Sequence, residues 1–180
     1  MAHYQQLTHE FAPVFNKTSK ILILGTFPSV KSREQQFYYG HPQNRFWKVL
    51  AALTKESIPL TIPEKKQLLL KHQIALWDVI QRCEIIGSSD SSIRNVVPAD
   101  IPSLLEQSSI TAIFGNGSKA CELFKKYTLP LLSQKTSTNI EDSKTITSIC
   151  KLPSTSPANA SWNLARLISD WKKEIEPFLL

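Results

Sequence analysis

Residues 21–29, Ile21-Leu22-Ile23-Leu24-Gly25-Thr26-Phe27-Pro28-Ser29, decide the fold. An aliphatic run without polar alternation reads as a strand buried on both faces, and Gly25 with Pro28 ends it in a sharp turn. Soon after comes Phe37-Tyr38-Tyr39-Gly40-His41-Pro42-Gln43-Asn44-Arg45-Phe46-Trp47, an aromatic platform leading into a helix start. Phe46, Val49, Leu50 and Leu53 then recur at the spacing of a helix that buries one face. Ligands of open α/β sheets bind beyond the carboxyl ends of the strands. Gly25, Thr26, Phe27 and Pro28, the aromatics and the Asn44-Arg45 pair are therefore expected to form one pocket wall.

The same alternation continues outward. Residues 64–72 read as a short helix, 74–80 as a second buried strand with Trp77 and Asp78 at its exit, and 87–95 as a turn-rich loop. A short helix over 102–107, a strand over 110–114 and a helix over 119–127 follow, then a polar loop over 133–143 and a strand over 145–150. The final helix, 160–174, carries Leu164, Leu167, Ile168, Trp171 and Ile175 on one stripe. Residues 1–19 read as an irregular arm. Strands alternating with helices predict a mainly parallel sheet covered on both faces, with its strand exits converging on one edge. No linker or repeat interrupts the 180 residues, which are expected to form a single domain, 1–180.

Composition narrows the function classes. The chain is 42% hydrophobic and 20% charged, which excludes a disordered chain, and 21 basic against 15 acidic residues give a net charge of +6, which favours an anionic partner. Cys83, Cys121 and Cys150 stand too far apart for a zinc knuckle or an iron–sulfur cluster, so neither metal nor cofactor is expected. With no signal-like or membrane-spanning run, a cytoplasmic, monomeric protein is the expectation. Neither a phosphate-binding Gly-Lys loop nor a nucleophile elbow occurs, and Gly115-Asn116-Gly117 alone is too weak a signal.

The block from His41 to Trp47, with the Gly25 turn, resembles the uracil-DNA glycosylase superfamily, and within it most resembles the hypoxanthine-DNA glycosylase branch. The resemblance implies a three-layer α/β/α sandwich with a short parallel sheet of about four strands. It also implies a monofunctional base-excision repair enzyme that flips a deaminated base, most of all hypoxanthine, out of damaged DNA and hydrolyses its glycosidic bond. Tyr39 falls where the stacking aromatic is placed; a core role for Tyr38 or Tyr39 is the alternative. Thr26 and Phe27 stand where mismatch-type enzymes carry a water-binding Asn, and neither can replace it. In the hypoxanthine branch that role is assigned to the Asn of the Pro-Gln-Asn-Arg block, here Asn44, which could equally cap the helix. Asn95 is the second catalytic candidate, for a hydrogen bond to base or sugar.

Trp77 falls near the position that reads the base edge, and Asp78 and Asp90 are carboxylates suited to an auxiliary base or to turn capping. Leu152-Pro153-Ser154-Thr155-Ser156-Pro157 matches the second motif but has Leu152 where many members have His. Ser154, Thr155 and Ser156 are expected on DNA, with Ser29, Lys31, Arg33, Arg45 and Lys48 as further phosphate contacts. No motif lysine suggests a lyase step. Uracil as substrate, a catalytically silent lesion binder marked by Phe27, and an enzyme of free nucleosides remain as other readings.

Overall fold

The computed structural model describes residues 3–136 and 146–179. In chain order the elements are β1 (Gln5–Thr8), β2 (Ile21–Gly25), α1 (Val30–Gln35), α2 (Phe46–Thr54), α3 (Ile62–Lys71), β3 (Ile74–Asp78) and β4 (Ile80–Ile85). These are followed by β5 (Arg94–Pro98), α4 (Ile101–Glu106), β6 (Ala112–Asn116), α5 (Ser118–Leu123), α6 (Leu129–Thr136), β7 (Cys150–Leu152) and α7 (Leu164–Ile175).

Four strands form a parallel sheet in the order β3-β2-β6-β7. Every residue of β2 and β3 is buried, as unbroken apolar runs between two helical layers require. Helices flank the sheet: α3 packs on β3, α5 on β6 and β7, and α7 on β7 and α2. Phe46 of α2 meets Trp171 of α7 edge to face at 5.9 Å, which joins the Arg45 end of α2 to the last helix. The predicted stripe on α7 holds for Leu167, Trp171 and Ile175, which are fully buried. That helix starts later than expected because Asn163 caps it, its side chain accepting from Arg166 N at 2.8 Å.

A second, antiparallel sheet, β1-β4-β5, was not expected. The run 74–80 is not one strand: it breaks at Val79, whose N–H bonds to Gly25 O at 2.9 Å, and β4 leaves in the other sheet. The arm is also not irregular, since Gln5–Thr8 pairs with Arg82–Ile85. Polar residues on the open faces of β1 and β5 hide the strand alternation there. The expected strand over 145–150 is instead β7, Cys150–Leu152, and residue 145 lies outside the described residues, as does most of the expected loop over 133–143. Helix continues from α5 through a π-helical turn, Phe124–Thr128, into α6. No helix among the described residues is long and apolar enough to cross a membrane.

Candidate active site

The exits of β2, β3 and β6 and the loop after β7 surround a cavity of about 500 Å³, a size typical of small-ligand pockets. Its walls include Gly25 to Ser32, Tyr39, His41, Asn44, Asp78, Ser88 to Asp90, Asn116 and Ser154 to Ala158. Gly25 is required by close approach: a Cβ there would lie 2.4 Å from Asp78 Oδ1 and 3.0 Å from Tyr39 Oη. Asp78 is held from below by His9, whose Nε2 is 2.8 Å from Asp78 Oδ2. His9 comes from the arm, just beyond β1.

The two tyrosines differ. Tyr38 is a core residue whose ring edges the cavity, its hydroxyl donating to Ala12 O at 3.0 Å. Tyr39 lines the cavity in a left-handed backbone conformation, φ 53°, with its ring stacked on Phe46 at 4.0 Å. Stacking on Phe46 occupies one face of the ring. Burial, with Asp78 nearby, pushes the Tyr39 phenol far above its ordinary range, so it remains a neutral O–H; the Asn116 side chain beside it opposes the shift.

One hydroxyl organises the opposite wall. Thr155 is fully buried, and its Oγ1 donates to Asn44 Oδ1 at 2.9 Å while accepting from Asn116 Nδ2 at 2.9 Å. Asn116 Oδ1 in turn accepts from Thr155 N at 3.0 Å. Asn44 Oδ1 also accepts from Phe46 N at 3.0 Å, and because that backbone donor is fixed, the amide orientation follows from chemistry. Both lone pairs of the Asn44 oxygen are thus engaged, and what Asn44 has left to offer is the N–H₂ end.

Several expected contacts have a different place. Arg45 is not a free phosphate contact: its guanidinium donates to Thr155 O at 3.3 Å, Ser156 O at 2.8 Å, Asn159 O at 3.1 Å and Trp162 O, so it pins the loop after β7. Thr155 is sealed away from any strand that could lie on the surface. Trp77 is core, 8% exposed and outside the cavity, because the side chain at the strand exit that turns inward is Asp78. Asn95 is exposed and outside the cavity; β5 carries it away to Glu84, with which its side chain hydrogen-bonds. Arg33 donates to Pro28 O at 2.9 Å, steadying the turn.

Other candidates lie in or near the cavity. Thr26, Phe27 and Pro28 line the cavity, with Phe27 edge-on to His9 at 6.1 Å. Ser29 caps α1, accepting from Ser32 N, and Lys31 pairs with Glu34 at the rim. Ser154 and Ser156 lie on the cavity edge, accepting backbone N–H groups of Ser156 and Ala158. Lys48 is exposed on α2. Asp90, from a serine-rich loop, accepts from Thr26 Oγ1 at 3.0 Å. Sequence reasoning missed Asn116 and His9. A polar residue ending a buried strand is a signal for Asn116, whereas nothing local in the arm marks His9.

The sequence profile of the uracil DNA glycosylase superfamily matches residues 12–179. A hypoxanthine DNA glycosylase of Methanosarcina acetivorans is 39% identical over 114 residues, 62% of this chain and 72% of that protein. One of Methanosarcina barkeri is 34% identical over 86 residues, 47% of this chain and 54% of that protein. A solution NMR structure from Methanosarcina acetivorans, provisionally described as a uracil DNA glycosylase, superposes with a TM-score of 0.73 at 30% identity, covering 93% of this chain and 96% of that one. With its parallel sheet, Gly25 turn and His41–Trp47 block, the chain belongs to the uracil DNA glycosylase superfamily.

Proposed function

We propose that this protein is a monofunctional DNA glycosylase that flips hypoxanthine out of damaged DNA and hydrolyses its bond to the sugar, acting as a single-domain monomer in the cytoplasm. The observation that carries the reading is the cavity at the sheet edge, which brings Tyr39 and Asn44 of the loop before α2, Asp78 of β3 and Asn116 of β6 together from three separate segments. The relatives named as hypoxanthine DNA glycosylases support the choice of base.

The residues suit such chemistry. The open face of Tyr39 can stack on a flipped base and offset part of an extrusion cost of a few kcal/mol. The amide N–H₂ of Asn44, and the Asn116 amide beside it, are donors suited to the oxygen and ring nitrogens of a departing purine, on which negative charge develops. As the base leaves, the sugar becomes oxocarbenium-like and is captured by a positioned, weakly activated water. Ser154 and Ser156, on a loop locked by Arg45, stand at the cavity edge where a strand backbone would run, and Lys31, paired with Glu34, can turn to a phosphate there.

The test is single-turnover cleavage of end-labelled duplexes carrying one inosine or one uracil. Abasic product at inosine, faster than at uracil, is expected. Product at uracil alone would reassign the substrate, and tight binding without product would turn the protein into a lesion binder.

A further inference from the structure

We propose that Asp90 takes the proton from the water that attacks the sugar, supplying from the loop after β4 the polar group that the Gly25-Thr26-Phe27-Pro28 turn lacks. This rests on the glycosylase reading above and names the residue that activates its nucleophile.

Elimination leaves few acceptors in the cavity. Phe27 has no polar atom. Thr26 Oγ1 donates to Asp90 and keeps lone pairs, but a neutral hydroxyl is too weak a base to hold the proton, and both lone pairs of Asn44 Oδ1 are taken by Phe46 N and Thr155 Oγ1. His41 Nδ1 accepts from Gln43 N at 3.1 Å, so the lone pair of that nitrogen is taken. Tyr39 is a neutral O–H. Asp78 is 4% exposed, wedged against Gly25 and already bonded to His9. Asp90 lines the cavity with Oδ1 fixed by Thr26, and its Oδ2 takes no hydrogen bond from a described side chain.

The loop is built to hold that carboxylate still. Ser88 Oγ accepts from Val30 N at 2.9 Å and ties the loop to α1. Ser92 Oγ accepts from Ile86 N at 2.9 Å and donates to Ser89 O at 2.7 Å, closing the short 3₁₀ turn Asp90–Ser92. The hydroxyls of a surface turn thus serve to aim one acid at the β2 exit, and immobilising the acceptor at the point of attack is worth more than basicity alone.

Electrostatics support the same role. Asp90 is exposed at the mouth of the cavity, yet the protein packed around its carboxyl removes part of its hydration and raises it above its ordinary range; the Thr26 hydrogen bond and Lys119 oppose the shift, and Asp78 adds to it. The other titratable groups facing it are Tyr39 and Cys83, with His41 and Lys31 along the cavity wall. A carboxylate shifted toward neutrality accepts a proton more readily in the transition state. In the step itself the C1′–N9 pair departs with the base, which takes a proton from solvent. The water oxygen bonds to C1′ and its proton passes to Asp90 Oδ2 and then to solvent. One water is consumed and nothing is oxidised or reduced.

The test is the single-turnover rate on inosine duplex across pH for wild type, Asp90→Asn, Asp90→Glu and Thr26→Val, with duplex affinity measured alongside. Expected are a wild-type rate that rises with pH to a plateau, a loss of about 100-fold with the rising limb abolished in Asp90→Asn, partial rescue in Asp90→Glu, and unchanged affinity. Thr26→Val, which keeps the acid but frees it, should slow the reaction while keeping the rising limb. An Asp90→Asn rate within threefold of wild type, or an unaltered pH profile in that variant, overturns the role of Asp90 while leaving the glycosylase reading intact. No product from wild type overturns both.

Discussion

Arg45 and Ser156 are 111 residues apart in the chain, and the guanidinium Nη2 of one lies 2.8 Å from the carbonyl oxygen of the other. The same side chain holds Thr155, Asn159 and Trp162, so one cation anchors the backbone of a whole loop. Lysine has neither the planar fork nor enough donors for this arrangement. Arg45→Lys should therefore cost about 2 kcal/mol through carbonyls left without donors, a fall in Tm of about 4–8 °C by calorimetry. Base release should fall with it, since Thr155 leaves its place between Asn44 and Asn116.

Gly25→Ala tests the floor of the cavity. The added methyl would sit 2.4 Å from Asp78 Oδ1, where neither side can yield because Asp78 is bonded to His9. A destabilisation of about 1–3 kcal/mol in urea titration is expected, with base release slowed at least tenfold.

Asn44→Asp separates holding from donating. A carboxylate keeps the acceptor for Phe46 N and Thr155 Oγ1 but loses the N–H₂ end. Thermal stability should change by less than about 1 kcal/mol, while the single-turnover rate falls about 100-fold. A rate near that of wild type would confine Asn44 to positioning.

His9→Ala removes the donor that satisfies a buried carboxylate oxygen. The expected cost is about 1–3 kcal/mol by denaturant unfolding, together with loss of order at the β1 end of the antiparallel sheet seen by hydrogen exchange.

Asp90 gives the molecule a pH-dependent weakness. Its folded-state carboxyl titrates above the unfolded one, so its contribution favours the folded state at low pH and is lost as pH rises through the folded value. Asp90→Asn should then be slightly more stable than wild type near neutrality, with the difference vanishing in acid. The gain is expected to stay below about 1 kcal/mol because the cleft is open to water. Thermal melts at two pH values check it.

The parallel sheet and its helices were legible because continuous apolar runs, Ile21–Leu24 and Ile74–Leu76, have no other use in a chain of this size. The antiparallel sheet was not, since β1 and β5 are largely exposed and show no apolar period. In the site, the Gly25 turn, Tyr39 and Asp78 could be placed because strand exits are predictable. Arg45 and Thr155 were misplaced for a common reason: a charge or a hydroxyl in a loop looks solvent-facing until the carbonyls and amides of a distant segment fold around it. Trp77 and Asn95 show a different limit: Trp77 stands one residue before the strand exit and alternation turns it into the core, while Asn95, read as part of a loop, lies near the start of β5 and is exposed.

The cavity also ties distant stretches of the chain into one wall. Asn116 and Asp78 end β6 and β3, on either side of β2, and Asn116 leans on Thr155, which comes near the end of the chain and is held by the grip of Arg45 on the carbonyls from Thr155 to Trp162. The amides of Asn44 and Asn116 share a hydroxyl only when that loop is in place. One side of the cavity is thus finished by the last loop to be made.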